Sequence, residues 1–511
     1  MTNNIYPSGA IERPVHENKA QISIYGDRFH NDQSLYEYLI EFLLVFSSAK
    51  KADGSGKLMF HDDEPLNYYV EPRNGLRRFV FFEQAKKTKR IPADEQAYED
   101  IKKILLKHIE CDNEKQKQEF LFAVQDLFRG YAAVLKNRSW CAQALLPLCP
   151  EMIFCEEMPS DSKRINIGKQ FNVAAGYSLD DTYFDSVDSF DMTRHNFLAR
   201  GGEVYYLHLM QVLDNDHVSK EKLQALLKNL LTDKSSDFSN LANWIQNTWE
   251  KEKNLDPEKL IGKMNIGFIP IDSYKKSGKN AVDELICFLS NQLHPVKRIE
   301  LMAKGLMLQI MRMLTDRTEE YLGYQQTPWI IDMCGKNSSI IKQLSANSFE
   351  KISELFSSAI NKWIKNARND DDNIDLKEEY VQYVKARKES FDIFKGKGKE
   401  LQCIIPSKGP YERFSLSEDL VKFLVLSLVP PSGKIDLDLF LKKLYTHYSF
   451  VIGPEEYKMC INGQSLDIEL TNSFNKNKEA FQKFLKDAGF LRDLSDATSI
   501  VVNPYKEVIL E

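Results

Sequence analysis

The sequence predicts a mainly α protein. It should have an N-terminal α+β part with a β-hairpin, a helical middle region, and a C-terminal module of three helices and a short hairpin. Three observations carry this. Apolar residues recur at helical spacing along most of the chain between residues 94 and 394. An Asn74-Gly75 pair lies between two β-rich runs, Leu66–Glu71 and Leu76–Glu83, and both residues tolerate positive φ. A Gly/Pro/Lys stretch, with KGKGK at 395–399 and then Pro406, Gly409 and Pro410, marks a break before the last helices. The expected division is 1–160, 161–394, a linker at 395–410, and 411–511.

Taken in order, residues 1–19 are polar, carry Pro7 and Pro14 and lack an apolar run, which predicts a mobile arm and no secretory leader. Gln21–Tyr25 alternates briefly and predicts a short strand. Ser34–Phe46 predicts a strong helix, with Leu35, Leu39, Phe42, Leu43 and Phe46 on one side. Pro72 cannot donate to a ladder, so it belongs at a strand end or edge. Helices are then expected at 94–110, 114–135, 139–148, 220–231, 239–253, 282–293, 295–315, 347–366 and 376–394. Residues 192–213 read as a helix interrupted at Arg200-Gly201-Gly202-Glu203. Past the linker come helices at 417–429, stopped by Pro430-Pro431, at 437–448, and at 476–488, ended by Gly489. Strands at 490–494 and 499–502 close the chain.

Composition narrows the function classes. Of 511 residues 43% are hydrophobic and 28% charged, a globular balance. The net charge of −6 disfavours a whole-surface nucleic-acid or membrane binder and leaves only local patches to consider. No apolar run reaches the length of a membrane span. Eight cysteines without close pairing predict reduced thiols and a cytoplasmic protein.

The strongest electrostatic patch is Arg73–Arg90. It holds Arg73, Arg77, Arg78, Lys86, Lys87, Lys89 and Arg90 against Glu83 alone, with Phe79, Phe81 and Phe82 interleaved. Cations can neutralise phosphate and exposed aromatics can stack bases, so a basic hairpin here would bind nucleic acid. The competing reading is a half-buried hairpin with a solvated basic tail.

Near the C-terminus, KEAFQKFLKDAGFLRDLSDATSIVVNPY (478–505) resembles the last helix and wing of the winged-helix family. The resemblance covers residues 411–511 and departs from the family in a long insert, Gly453–Asn475. It implies contact through the third helix and wing, with Lys478, Lys483 and Lys486 as the residues that would face nucleic acid. The charge balance argues for protein contact instead. Residues 411–511 hold 12 Lys/Arg against 15 Asp/Glu, and the wing carries Asp493 and Asp496. In layout the whole chain resembles accessory proteins encoded with ATPases and nucleases in prokaryotic anti-phage defence operons. That implies protein partners and nearness to nucleic acid, but no reaction.

Catalytic signatures are thin. The GSGK at 54–57 has Lys51 where a phosphate-binding loop needs Gly and Leu58 where it needs Ser or Thr, and the KSGK at 276–279 fails similarly. Cys141, Cys149 and Cys155 lack the close pairs of a zinc site. His61-Asp62-Asp63-Glu64 reads as a solvated acidic loop rather than a metal-nuclease centre. His195, Arg200, Glu203 and His208 make the best catalytic candidate, against an ordinary helix break. No catalytic residue, metal or cofactor is therefore assigned. The leading expectation is a non-catalytic accessory or scaffold subunit that binds proteins and has a local capacity for nucleic acid. A winged-helix DNA-binding regulator and an enzyme with an unrecognised site are the alternatives.

Overall fold

The computed structural model describes residues 5–7, 20–26, 29, 33–51, 67–71, 73–85, 92–134, 143–154, 201–232, 236–254, 261–270, 275–335, 339–370, 376–495 and 498–510. These residues are mainly helical, with small sheets. The chain begins with β1 (Ile5–Tyr6), α1 (Ala20–Tyr25), α2 (Leu35–Ser47), β2 (Asn67–Val70), α3 (Asn74–Ala85), α4 (Pro92–Lys107) and α5 (Glu114–Gly130). It continues through β3 (Ala132–Val134), β4 (Ala144–Leu145), α6 (Gly201–Leu213), α7 (His217–Thr232), α8 (Ser236–Glu252), β5 (Gly262–Asn265) and β6 (Ile269–Pro270). Then come α9 (Lys275–Leu289), α10 (Pro295–Leu322), β7 (Trp329–Ile330), α11 (Ser339–Asp370), α12 (Leu376–Lys388), α13 (Phe391–Glu400), β8 (Ile404–Ile405) and β9 (Arg413–Phe414). The last elements are α14 (Glu418–Leu428), β10 (Lys434–Asp436), α15 (Leu437–Tyr448), β11 (Phe450–Val451), α16 (Pro454–Cys460), α17 (Ile468–Asp487), β12 (Leu491–Ser495) and β13 (Thr498–Val502). They fall into two compact units, one of residues 36–203 and 227–266, the other of 1–35, 204–226 and 267–511.

In the smaller unit the expected hairpin does not form. β2 pairs antiparallel with the distant β5, Tyr68 opposite Met264, and the run after it is the helix α3. The reason lies in spacing. Leu76, Phe79 and Val80 stand at i, i+3 and i+4, and all three are buried where α3 packs against α4, α5 and α8. The Leu76 N–H, an otherwise orphaned donor of the first turn, donates to Gln246 Oε1 at 3.1 Å. Of the helix expected at 139–148, residues 139–142 lie outside the described residues and the rest is not helical. Ala144–Leu145 pairs with β3, because Pro147 and Pro150 deny a helix its backbone donors.

In the larger unit, Gln21–Tyr25 is helical rather than extended. Five alternating residues do not decide a period, and packing of α1 against α10, α11 and α12 does. α10 runs past its expected end to Leu322, with Pro295 in its first turn and Gly323 closing it. It is buried on nearly every side, and α9, α11 and α14 all pack on it. At Gly305 an added Cβ would lie 2.0 Å from the Phe423 ring, so only glycine lets α14 approach this closely.

The expected linker is structured. KGKGK belongs to α13, whose Phe391, Ile393 and Phe394 are buried and carry the helix through the lysines. Lys397 is itself buried and donates to the Gln33 carbonyl and to Glu400 Oε2. Beyond it, β8 pairs with β9, Ile404 opposite Phe414. Residues 411–511 consequently share a core with 267–410. β11 pairs in parallel with β7, Phe450 opposite Trp329, and Trp329 stacks on Phe414 at 4.7 Å. Within the last stretch β10, β13 and β12 form an antiparallel sheet in that order. The insert 453–475 supplies α16 and the first turns of α17.

Gly305→Ala should test the α10–α14 contact. The new methyl group displaces Phe423, which overpacking in a full core makes cost about 1–3 kcal/mol, only partly offset by about 1 kcal/mol of helix propensity. The melting temperature should fall, measured by circular dichroism.

Candidate functional site

The basic stretch does not assemble a phosphate-binding surface among its described residues. Arg73 pairs with Glu71 at 3.2 Å and donates to Asn243 Oδ1 at 3.2 Å. Arg77 and Arg78 are buried, the first 4.4 Å from the Phe154 ring centre and the second 5.2 Å from that of Trp249. The expectation that Arg77 and Arg78 reach nucleic acid is therefore corrected. Helical geometry turns both guanidinium groups inward, where their stems pack and their heads lie over aromatic faces. Lys86, Lys87, Lys89 and Arg90 lie outside the described residues.

The C-terminal lysines are differently placed. Lys478 pairs with Asp438, and Lys486 pairs with Asp493 of the terminal hairpin at 2.7 Å. Lys483 is exposed on α17. That outer face of α17 also exposes Lys476 with Glu469, Glu479 and Asp487. Cations and carboxylates are thus interspersed rather than segregated.

The Arg200–His208 candidate resolves into a helix start for the part described. The N–H groups of Gly202 and Glu203 donate to Glu41 Oε2 at 2.7 and 3.2 Å, so a carboxylate answers the positive end of α6. An added Cβ at Gly202 would stand 2.3 Å from the Tyr38 carbonyl oxygen, which explains the glycine without a ligand. Tyr68 donates its hydroxyl to Glu203 Oε2 at 3.2 Å. His208 is buried, and burial, helped by Arg312, lowers it to about 3, so it is neutral at physiological pH. His195, Arg200, Cys141, Cys155, the GSGK loop and His61–Glu64 lie outside the described residues, and Ser277-Gly278-Lys279 lies in the first turns of α9.

Thiol chemistry finds no poised group in the core. Burial pushes Cys149 and Cys403 up to about 12 and Cys287 up to about 11, so they stay protonated and weakly nucleophilic. Among the described residues no three His, Cys, Asp or Glu side chains converge as metal ligands. No helix among them is long and apolar enough to cross a membrane.

The most concentrated polar chemistry is a buried cluster in the larger unit. Glu284 of α9 faces Arg312 of α10 at 3.1 Å. Its carboxylate also accepts from Tyr448 Oη at 2.6 Å, His447 Nδ1 at 2.7 Å and Gln309 Nε2. Arg312 donates to the His447 carbonyl at 2.8 Å and lies 4.7 Å from the Tyr448 ring centre. Burial works to raise the Glu284 carboxyl, but the Arg312 guanidinium and the His447 and Tyr448 hydrogen bonds outweigh it and hold it below the usual carboxylate range. The Glu284 carboxylate has its acceptor positions filled by Arg312, Tyr448, His447 and Gln309, so the cluster ties α9, α10 and α15 together. The available signal in the sequence was Gln309 and Arg312, two polar residues inside the apolar run MLQIMRML (307–314).

No family model matches this sequence, and neither the curated proteins nor the solved structures contain a significant match.

The cluster makes a pH prediction. With its folded pKa depressed, Glu284 stabilises fully above the ordinary carboxylate range, and that stabilisation is lost as pH falls through the lower folded value. Glu284→Gln, which strands Arg312 in the core, should cost about 3–5 kcal/mol at neutral pH. It should also flatten the acid limb of stability seen in urea unfolding.

Proposed function

We propose that this chain is a non-catalytic binding subunit that joins a larger assembly by protein–protein contact through α17 and the β12–β13 hairpin. In this reading residues 411–511 are a winged-helix-like layer built onto the larger unit. The order α14–β10–α15–β11–α16–α17–β12–β13 and the β10-β13-β12 sheet support it, with β11 as the strand that joins this layer to β7. One observation carries the choice of a protein partner. Two of the three lysines that would face phosphate are occupied by Asp438 and Asp493, and the remaining exposed face of α17 alternates sign. Phosphate backbones require a run of unopposed cations, whereas a mixed face suits the complementary charges of a protein surface. The resemblance to accessory proteins of anti-phage operons gives this proposal its context, with ATPase or nuclease chains as the partners to be sought.

Affinity purification of the full chain tests it. A co-purifying protein should be lost, about tenfold or more, in a Lys483→Glu, Glu479→Lys charge exchange, which inverts local sign while leaving net charge and fold alone. Duplex DNA should bind weakly at physiological salt. Tight, steeply salt-dependent DNA binding that Lys483→Glu removes, with no partner retained, would establish the regulator instead.

A further inference from the structure

The smaller unit carries a groove of about 800 Å³ between α4 and α5, with Phe79 of α3 at its base. It is a different surface from the one proposed above and does not depend on that reading. Its apolar wall is Tyr98, Leu106 and Phe122, and Phe122 is 62% exposed although it sits on a helix whose Leu121, Val124 and Phe128 are in the core. The floor is held rigid by Gln125, which donates to the Phe79 carbonyl and shares hydrogen bonds with the Tyr98 hydroxyl.

The groove's charge is unbalanced. Lys102, Lys103, Lys115 and Arg129 line it against Glu99 and Glu119. Each carboxylate is matched within its own helix, Glu99 by Lys102 at 3.6 Å and Glu119 by Lys115 at 3.8 Å. Lys103 and Arg129 are left without an anionic partner among the described residues. Arg129 Nε donates to the Val80 carbonyl at 3.3 Å, but its Nη2 is buried and has no hydrogen-bond partner among the described residues. A carboxylate is the group that best answers the half-buried guanidinium and the exposed Lys103 ammonium.

We propose that this groove is a docking site for a short acidic, aromatic-containing segment of a partner protein. An apolar side chain of the segment would pack on Phe122 and Leu106 while a carboxylate meets Arg129 and Lys103. Charge complementarity selects this occupant. A nucleic-acid strand needs a track of cations spaced along its backbone, whereas here two unmatched cations stand beside an apolar wall of Tyr98, Leu106 and Phe122 that fits a side chain.

The probe is a short fluorescein-labelled peptide of Asp, Glu, Phe and Leu, titrated with the full chain and read by fluorescence polarisation. Saturable binding in the micromolar range is expected, weakening as salt is raised toward about 0.5 M. Lys103→Glu and Phe122→Ser should each weaken it about tenfold or more, and because both side chains are exposed the melting temperature should not move. A peptide with Lys in place of Asp and Glu should not bind. Absence of saturable binding below about 100 μM, or unchanged affinity in both variants, would overturn the proposal. Displacement of the peptide by a single-stranded oligonucleotide at equal concentration would overturn it in favour of nucleic acid.

Discussion

In the larger unit, everything is arranged around a helix with almost no face left for water. α10 presents apolar side chains on most sides, and α9, α11 and α14 cover it. A helix in that position must have its polar residues answered by protein, because an unpaired buried charge would cost several kcal/mol. Glu284, His447 and Tyr448 are that answer for Arg312 and Gln309. Gly305 solves the steric half of the same problem by admitting Phe423.

The same logic binds the last hundred residues to the rest of that unit. Asn477 reaches the carbonyls of Ile331 and Ile452 at 2.8 and 2.9 Å and accepts the Met333 N–H at 2.9 Å. Asn291 and Asn503 bond each other at 2.7 Å and take the carbonyls of Leu426 and Val429. These asparagines satisfy backbone groups where irregular strands meet helices, a task that no regular ladder performs. A layer fixed so firmly leaves the outward face of α17 exposed on a rigid support.

Charge distinguishes the two proposed surfaces. On α17 each patch of positive charge has an acid beside it, so recognition at that proposed surface would depend on matching a pattern. Between α4 and α5 the carboxylates are consumed locally and the surplus is positive, so recognition at that proposed groove would depend on sign as well as on apolar fit. If both proposed surfaces are used, each would discriminate its partner by a different term of the binding energy.

By itself the sequence determined the helical class and most of the helices, because α2, α10, α14 and α15 each repeat apolar residues over several turns. It also identified the terminal helix and the two strands of the hairpin, but not β10, the third strand of that sheet. What it could not decide were the short and charged segments. Gln21–Tyr25, the run after Asn74 and the KGKGK stretch are all too brief or too polar for local pattern to outweigh tertiary context. In each, burial against distant elements chose the helix. The same holds for the charges. Arg77 and Arg78 look in sequence like a phosphate-binding pair, and only the fold shows them buried beside Phe154 and Trp249. Lys478 and Lys486 likewise acquire their acids from residues 40 and 7 positions away. Whether a cation is free to bind depends on which carboxylate comes within a few ångströms, and that distance exists only in the folded chain.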